Sequence, residues 1–238
     1  MTERNLIVQP DPDTLALHVA NWLVKEATES QGPFAIALSG GSTPKTLYEL
    51  LATPEFRTRL PWASIHWFWG DERFVPADDP LSNYRMVREA LLENAPIPTE
   101  NIHPVPTENL TPEEAAELYE GTLRLFHGSK RLGGRNPLFD INLLGIGDDG
   151  HTASLFPGTE VLNDRTRWVA PVIGAKAEAR ITLTYPALES SRYVAFLVTG
   201  AGKRDILKRL MADDQALPSA RVKPVGELLV FADQAAAG

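Results

Sequence analysis

The chain contains no cysteine, which removes disulfides, thiolate metal sites and cysteine nucleophiles from consideration. Its five histidines, at positions 18, 66, 103, 127 and 151, show no metal-ligand spacing, so no metal is expected. No apolar run is long enough to cross a bilayer, and Met1-Thr2-Glu3-Arg4-Asn5 lacks the basic-then-apolar pattern of a secretory signal. Cations are scarce as well: 23 Lys and Arg face 31 Asp and Glu, and the net charge of -8 argues against nucleic acid and anionic membranes as partners. These absences point to the cytoplasm. They also require any anionic substrate to meet a local cluster of positive charge. No internal repeat or low-complexity segment is present.

What is present suits one α/β domain spanning 1–238, a monomer or weak homo-oligomer, with 43% hydrophobic and 23% charged residues. Asp11 or Asp13 can cap a helix whose apolar positions Leu15, Val19, Trp22, Leu23 and Ala27 recur every three to four residues. Phe34 to Leu38 and Ile65 to Trp69 are continuous apolar runs, as expected of strands buried on both faces of a parallel sheet. A helix is expected to begin at Pro44 and run through Leu51, and another to cover Ser82 to Glu93. Thr111-Pro112-Glu113-Glu114 spells out a capped helix start, with Glu114 completing a capping box for a helix running to about Phe126. Lys130 to Pro137 is read as a basic, glycine-rich linker. Trp168 to Val172, Arg180 to Thr184, Tyr193 to Val198 and Glu227 to Ala232 complete the expected strands, with a helix from about Lys203 to Met211. Alternation of helix and strand predicts a Rossmann-like, mainly parallel sheet with helices on both faces and a site at the strands' carboxyl ends.

Three polar loops leave apolar strands. Asp140 to Pro157 (DINLLGIGDDGHTASLFP) turns from strand into Gly145, Gly147 and Gly150 around Asp148, Asp149 and His151, a histidine beside carboxylates that can orient it as a general base. The spacing Gly145-x-Gly147-x-x-Gly150 matches a dinucleotide fingerprint formally, but Asp148 and Asp149 put negative charge where a pyrophosphate needs donors. Ser39-Gly40-Gly41-Ser42-Thr43, ahead of a helix, suits an anion: converging N–H groups, hydroxyls and a helix N-terminus. The same residues sit one position away from a nucleophile elbow, which makes Ser39 a rival nucleophile with His151 and an aspartate in chain order; the missing first glycine and the Ser42–Thr43 hydroxyl pair weigh against it. Gly70-Asp71-Glu72-Arg73 is the third loop. Arg73, Arg180 and Lys203 all fall beside strand ends or glycine turns and are expected to converge on one crevice, and Asp71 and Glu72 are candidates for acid–base work or for holding Arg73.

With these segments assembled, the chain resembles the 6-phosphogluconolactonases, in the superfamily shared with glucosamine-6-phosphate isomerase/deaminase. The matching stretches are Ala37 to Pro44 (ALSGGSTP), Trp69 to Pro76 (WGDERFVP) with Ser82-Asn83-Tyr84, Leu144 to Pro157, Arg180 to Thr184 and Val198 to Lys203. The resemblance implies a Rossmann-like α/β domain that hydrolyses 6-phosphoglucono-δ-lactone in the pentose phosphate pathway without a cofactor, its only implied partner being that small sugar-phosphate lactone. It places phosphate on Ser39, Gly40, Gly41 and Ser42 with Arg180 and Lys203, makes His151 the base that activates water beside Asp149, and sets Asp71 and Arg73 next to the lactone. The resemblance does not name the oxyanion group, and Arg73 is expected there because a positioned cation or N–H must meet that charge. A deaminating isomerase is the near alternative, although that family usually carries an acid where Phe156 stands. A non-catalytic sugar-phosphate sensor would need a fused DNA-binding segment or a lost histidine, and the sequence has neither.

Overall fold

The computed structural model describes residues 3–133 and 136–238; the expected linker Lys130 to Pro137 lies partly outside them, at 134 and 135. In chain order the elements are β1 (Arg4–Gln9), α1 (Pro12–Glu29), β2 (Phe34–Leu38), α2 (Ser42–Leu51), α3 (Pro54–Arg57), β3 (Ile65–Trp69), β4 (Asp71–Arg73), α4 (Asn83–Ala90), β5 (Ile102–His103), α5 (Pro112–His127), β6 (Phe139–Leu144), β7 (Val169–Val172), β8 (Arg180–Leu183), α6 (Tyr185–Glu189), β9 (Ser191–Val198), α7 (Arg204–Met211), β10 (Glu227–Asp233) and α8 (Gln234–Ala237).

Seven strands form one sheet in the order β1-β10-β9-β6-β2-β3-β5, with every neighbouring pair parallel. The apolar runs explain this choice. All five residues of β2 are buried, and a strand buried on both faces needs helices above and below it. Helix α1 supplies one cover with Leu15, Val19, Leu23 and Ala27, while Trp22 stays partly exposed and lies edge-on to Tyr193. Asp11 caps that helix by accepting from Thr14 N at 2.8 Å. The expected capping box of α5 is complete, with both Thr111–Glu114 bonds formed.

The sheet has its switch point between β2 and β6, which share only the pairs Ile36↔Ile141 and Ala37↔Asn142 before parting. Such a parting leaves a crevice beyond the strands' carboxyl ends. At its edges two buried tyrosines continue the ladder. The Tyr48 hydroxyl accepts from Ser39 N–H at 3.0 Å and donates to Ser39 C=O at 2.9 Å; Tyr119 does the same for Trp69 at 2.7 and 2.9 Å.

A second sheet, β4-β8-β7, is antiparallel and was not foreseen. Asp71-Glu72-Arg73, expected as loop, forms strand β4, because it pairs in register with β8: Asp71↔Thr182, Glu72↔Ile181 and Arg73↔Arg180. Alternation along β4 puts Asp71 and Arg73 on one face and Glu72 on the other. Helix α2 begins at Ser42 rather than Pro44, since Gly41, at φ 109°, turns the chain directly into the helix and leaves Pro44 inside the first turn. The segment Ser82 to Glu93 is a shorter helix, α4, capped by Ser82 and followed by a separate 3₁₀ turn at Leu92–Asn94. Helix α7 starts at Arg204, with Ala201–Lys203 in a 3₁₀ turn ahead of it. The edge strand β1 was missed: its Leu6 and Val8 are exposed, and it does not read as a core run.

Candidate active site

The crevice at the switch point holds about 380 Å³ and is lined by Ser39, Gly40, Gly41, Asp71, Arg73, His151, Arg180 and Lys203, all expected from the sequence. Further lining residues that were not expected to form the site include Asn83, Ser154, Phe156 and Lys176. Ser42 belongs to a smaller adjoining cavity of about 210 Å³, shared with Gly41, Thr43, Thr199 and Lys203. Asp149 does not line the crevice. It stands behind the histidine, so its place is that of an orienting group rather than one that meets a ligand.

The histidine loop is built by close packing. His151 N–H and Nδ1 both approach Asp149 Oδ1, at 3.0 and 2.5 Å, and Gly147 N–H donates to His151 C=O at 2.9 Å. A Cβ on Gly147 would sit 2.0 Å from the imidazole, so only glycine fits under the ring. With Nδ1–H directed to Asp149, Nε2 is the nitrogen left to accept a proton. Burial works against ionisation of Asp149, but the hydrogen bonds from His151 outweigh it and hold the carboxyl below its ordinary range. Phe156 closes the other side of the imidazole, ring centroids 4.7 Å apart.

Ser154 docks this loop on the small sheet. Its hydroxyl donates to Asp71 Oδ2 at 2.6 Å and its N–H donates to Thr182 Oγ1 at 3.1 Å, so the loop rests on two residues paired across β4 and β8. Ala153, just before it, adopts φ 47°, an uncommon conformation for a residue with a Cβ and one that clusters at functional sites.

Glu72, on the opposite face of β4, holds the framework. Its carboxylate accepts from Arg73 N and Asn83 N at 2.7 Å, from Tyr84 N at 2.7 Å and from Ser82 Oγ at 3.3 Å. Burial nevertheless pushes the carboxyl up to about 7 against those backbone donors, with the charge of Asp71 adding to the rise. Of the two roles open to Glu72, acid–base group or brace for Arg73, its place is the brace. Asn83 in turn donates Nδ2 to Asp71 C=O at 2.9 Å.

The anion loop offers the N–H groups of Gly40 and Gly41, which have no partner among the described residues, while Ser39 N–H is already taken by Tyr48. The Ser39 hydroxyl donates to Gly40 C=O at 3.2 Å and makes no bond to His151. That arrangement lacks the serine–histidine contact of a nucleophile elbow. The cations flank the loop with their own acidic neighbours: Lys203 Nζ lies 2.5 Å from Asp148, and Arg180 Nη1 lies 3.3 Å from Glu178. Lys176 was missed because its surroundings, Ile173 to Ala179, read as an ordinary polar connection; only its nearness to Arg180 in sequence hinted at the crevice. Among the described residues no helix is long and apolar enough to cross a membrane.

Comparison with known proteins bears on this geometry. Residues 10–231 match the family model described as glucosamine-6-phosphate isomerases/6-phosphogluconolactonase. A 6-phosphogluconolactonase of Nostoc sp. is 45% identical over 241 residues, covering 98% of this chain and 97% of that protein. One from Synechocystis sp. is 46% identical over 217 residues, covering 90% and 87%. The crystal structure of 6-phosphogluconolactonase from Thermotoga maritima superposes with a TM-score of 0.83 at 32% identity, covering 98% of this chain and 100% of that one. The chain therefore belongs to the glucosamine-6-phosphate isomerase/6-phosphogluconolactonase family.

Proposed function

We propose that this protein hydrolyses 6-phosphoglucono-δ-lactone to 6-phosphogluconate, a step of the pentose phosphate pathway, as a single catalytic unit in the cytoplasm. The observation that carries the reading is the His151–Asp149 pair at one end of a crevice whose other end joins an anion loop flanked by Arg180 and Lys203. The phosphate sits on the N–H groups of Gly40 and Gly41 and the hydroxyls of Ser39 and Ser42, at the start of α2, with Arg180 and Lys203 supplying charge. The lactone carbonyl then faces His151. Its Nε2 takes a proton from water, the water oxygen bonds to the carbonyl carbon, and the carbonyl π pair moves onto oxygen. Collapse of that tetrahedral species breaks the ring C–O bond. The ring oxygen leaves with the proton returned from the imidazolium, and 6-phosphogluconic acid then ionises. Asp149 holds the tautomer, and Asp71, fixed by Ser154, and Arg73 border the lactone.

Phe156 favours this activity over deamination of an amino-sugar phosphate, since it sets an apolar ring against His151 where the deaminating branch usually has an acid. The test is a paired assay with the purified protein: disappearance of freshly generated 6-phosphoglucono-δ-lactone, and release of ammonia from glucosamine 6-phosphate. Turnover of the lactone alone is expected. Ammonia release with no acceleration of lactone opening would reverse the assignment.

A further inference from the structure

Four cations reach the crevice, and three are tethered by polar partners. Arg73 Nη1 donates to Leu81 C=O at 2.5 Å, Arg180 Nη1 donates to Glu178 C=O at 3.1 Å, and Lys203 is paired with Asp148. Lys176 differs. Among the described residues no carboxylate pairs with its ammonium, which rests over the Phe156 ring, 5.0 Å from the centroid. A carboxylate partner would cancel the charge, whereas an aromatic face holds a cation in place and leaves the charge intact.

Its location is equally specific. Lys176 lies on the connection between β7 and β8, which turns at Gly174 with φ 81° and brings the side chain over the crevice. The Phe156 ring beneath it packs against His151, and the positive charge of Lys176 also helps hold the Asp149 carboxyl low. Lys176 thus lines the crevice beside the aromatic ring that packs on the base, close enough for its charge to act on the Asp149 carboxyl.

We propose that Lys176 is a catalytic residue whose ammonium stabilises the negative charge that develops on the lactone carbonyl oxygen as water attacks. The inference rests on the lactonase reading and moves the oxyanion role from Arg73, the sequence-based expectation. As the water oxygen bonds to the carbonyl carbon and its proton passes to His151, the displaced π pair becomes an alkoxide facing Nζ. When the ring C–O bond breaks, that pair returns to re-form the carbonyl, so Lys176 gives up no proton and ends the cycle unchanged. A donor that meets charge only in the transition state raises kcat more than it lowers KM.

Lys176→Met and Lys176→Arg, on a connecting loop, test this by steady-state kinetics on the phosphorylated lactone and on unphosphorylated δ-gluconolactone. Lys176→Met is expected to lower kcat about 10²- to 10³-fold with little change in KM, and to lower kcat/KM on δ-gluconolactone by a similar factor. Lys176→Arg should recover part of the loss. Wild-type kcat in Lys176→Met, or a defect confined to KM for the phosphorylated lactone, would overturn the proposal. His151→Ala separates the two readings: full activity in that variant with a loss in Lys176→Met removes the base and keeps the electrophile, and the converse pattern does the reverse.

Discussion

Asn83 sits against Gly40 so closely that a Cβ placed on the glycine would lie 2.0 Å from the Asn83 amide oxygen. The amide cannot swing away freely, because its nitrogen is bonded to Asp71 and its backbone N–H to Glu72. One contact therefore joins the anion loop, β4 and the start of α4. Gly40→Ala is expected to destabilise the protein by about 1–3 kcal/mol, the usual cost of overpacking, and to raise KM for the phosphorylated lactone. Adding Asn83→Ala should return part of the stability lost to the clash. Urea unfolding of the two single variants and the double variant measures this, and strict additivity would show that the contact is relaxed in solution.

His151→Ala should lower kcat by about two to four orders of magnitude, the contribution of a positioned acid–base group. Asp149→Asn is expected to cost less, roughly 10- to 100-fold, because it disturbs the tautomer and orientation of an imidazole that remains in place. The measurement is single-turnover lactone opening, with binding of 6-phosphogluconate as the control that the crevice is intact. A larger loss from Asp149→Asn than from His151→Ala would reverse the roles.

Loss of either phosphate cation should be specific to the phosphorylated substrate. Arg180→Ala or Lys203→Ala removes a charge-assisted contact, so KM for the phosphorylated lactone should rise about 10- to 100-fold while δ-gluconolactone is barely affected. Asp148→Asn has the opposite sign. Asp148 is 86% exposed and paired with Lys203, so its removal frees that lysine and should tighten 6-phosphogluconate about two- to five-fold. Weaker product binding in Asp148→Asn would mean that the carboxylate positions the lysine instead.

A half-buried histidine and a buried glutamate make stability respond to pH in opposite directions. Burial, aided by the neighbouring His66, pushes His103 down to about 4 from 6.5, so the unfolded chain binds that proton first and stability falls as pH drops through this window. Glu72 is raised from 4.5 to about 7, so the folded protein binds its proton first and that stability is lost as pH rises through 7. Between about pH 4.5 and 6.5 the two slopes oppose each other. Chemical denaturation of His103→Phe should show stability falling with pH in this range, the slope left by buried Glu72, and Glu72→Gln should show it rising by roughly 1 kcal/mol, a small value because His103 is only half-buried and solvent screens it. Parallel slopes in the two variants would contradict these shifts.

Much of this site is legible in the sequence. Runs such as Phe34 to Leu38 can only be interior strands, and the loops that leave them carry Ser39, Asp71 and His151 to one rim once the sheet is parallel. The small sheet was hidden for a physical reason: Asp71-Glu72-Arg73 has none of the apolar alternation that marks a strand, and is held extended by β8, more than a hundred residues away. Lys176 and Ser154 were hidden for the same kind of reason. Each owes its place to a partner distant in sequence, Ser154 to Asp71 and Lys176 to Phe156. Asp149 was placed in the right loop, but which oxygen and nitrogen face each other is a property of the folded turn.

The cross-strand pairing Arg73↔Arg180 sets two cations at facing positions, a like-charge pair that Glu178 relieves only on the Arg180 side. A phosphorylated ligand bound at Arg180, as proposed above, would offset part of that repulsion. The empty enzyme is then the more weakly held form, and occupancy by phosphate should tighten β4 and β8 before the rest of the molecule. Saturating 6-phosphogluconate is therefore expected to make the protein harder to unfold by heat and slower to be cut by protease.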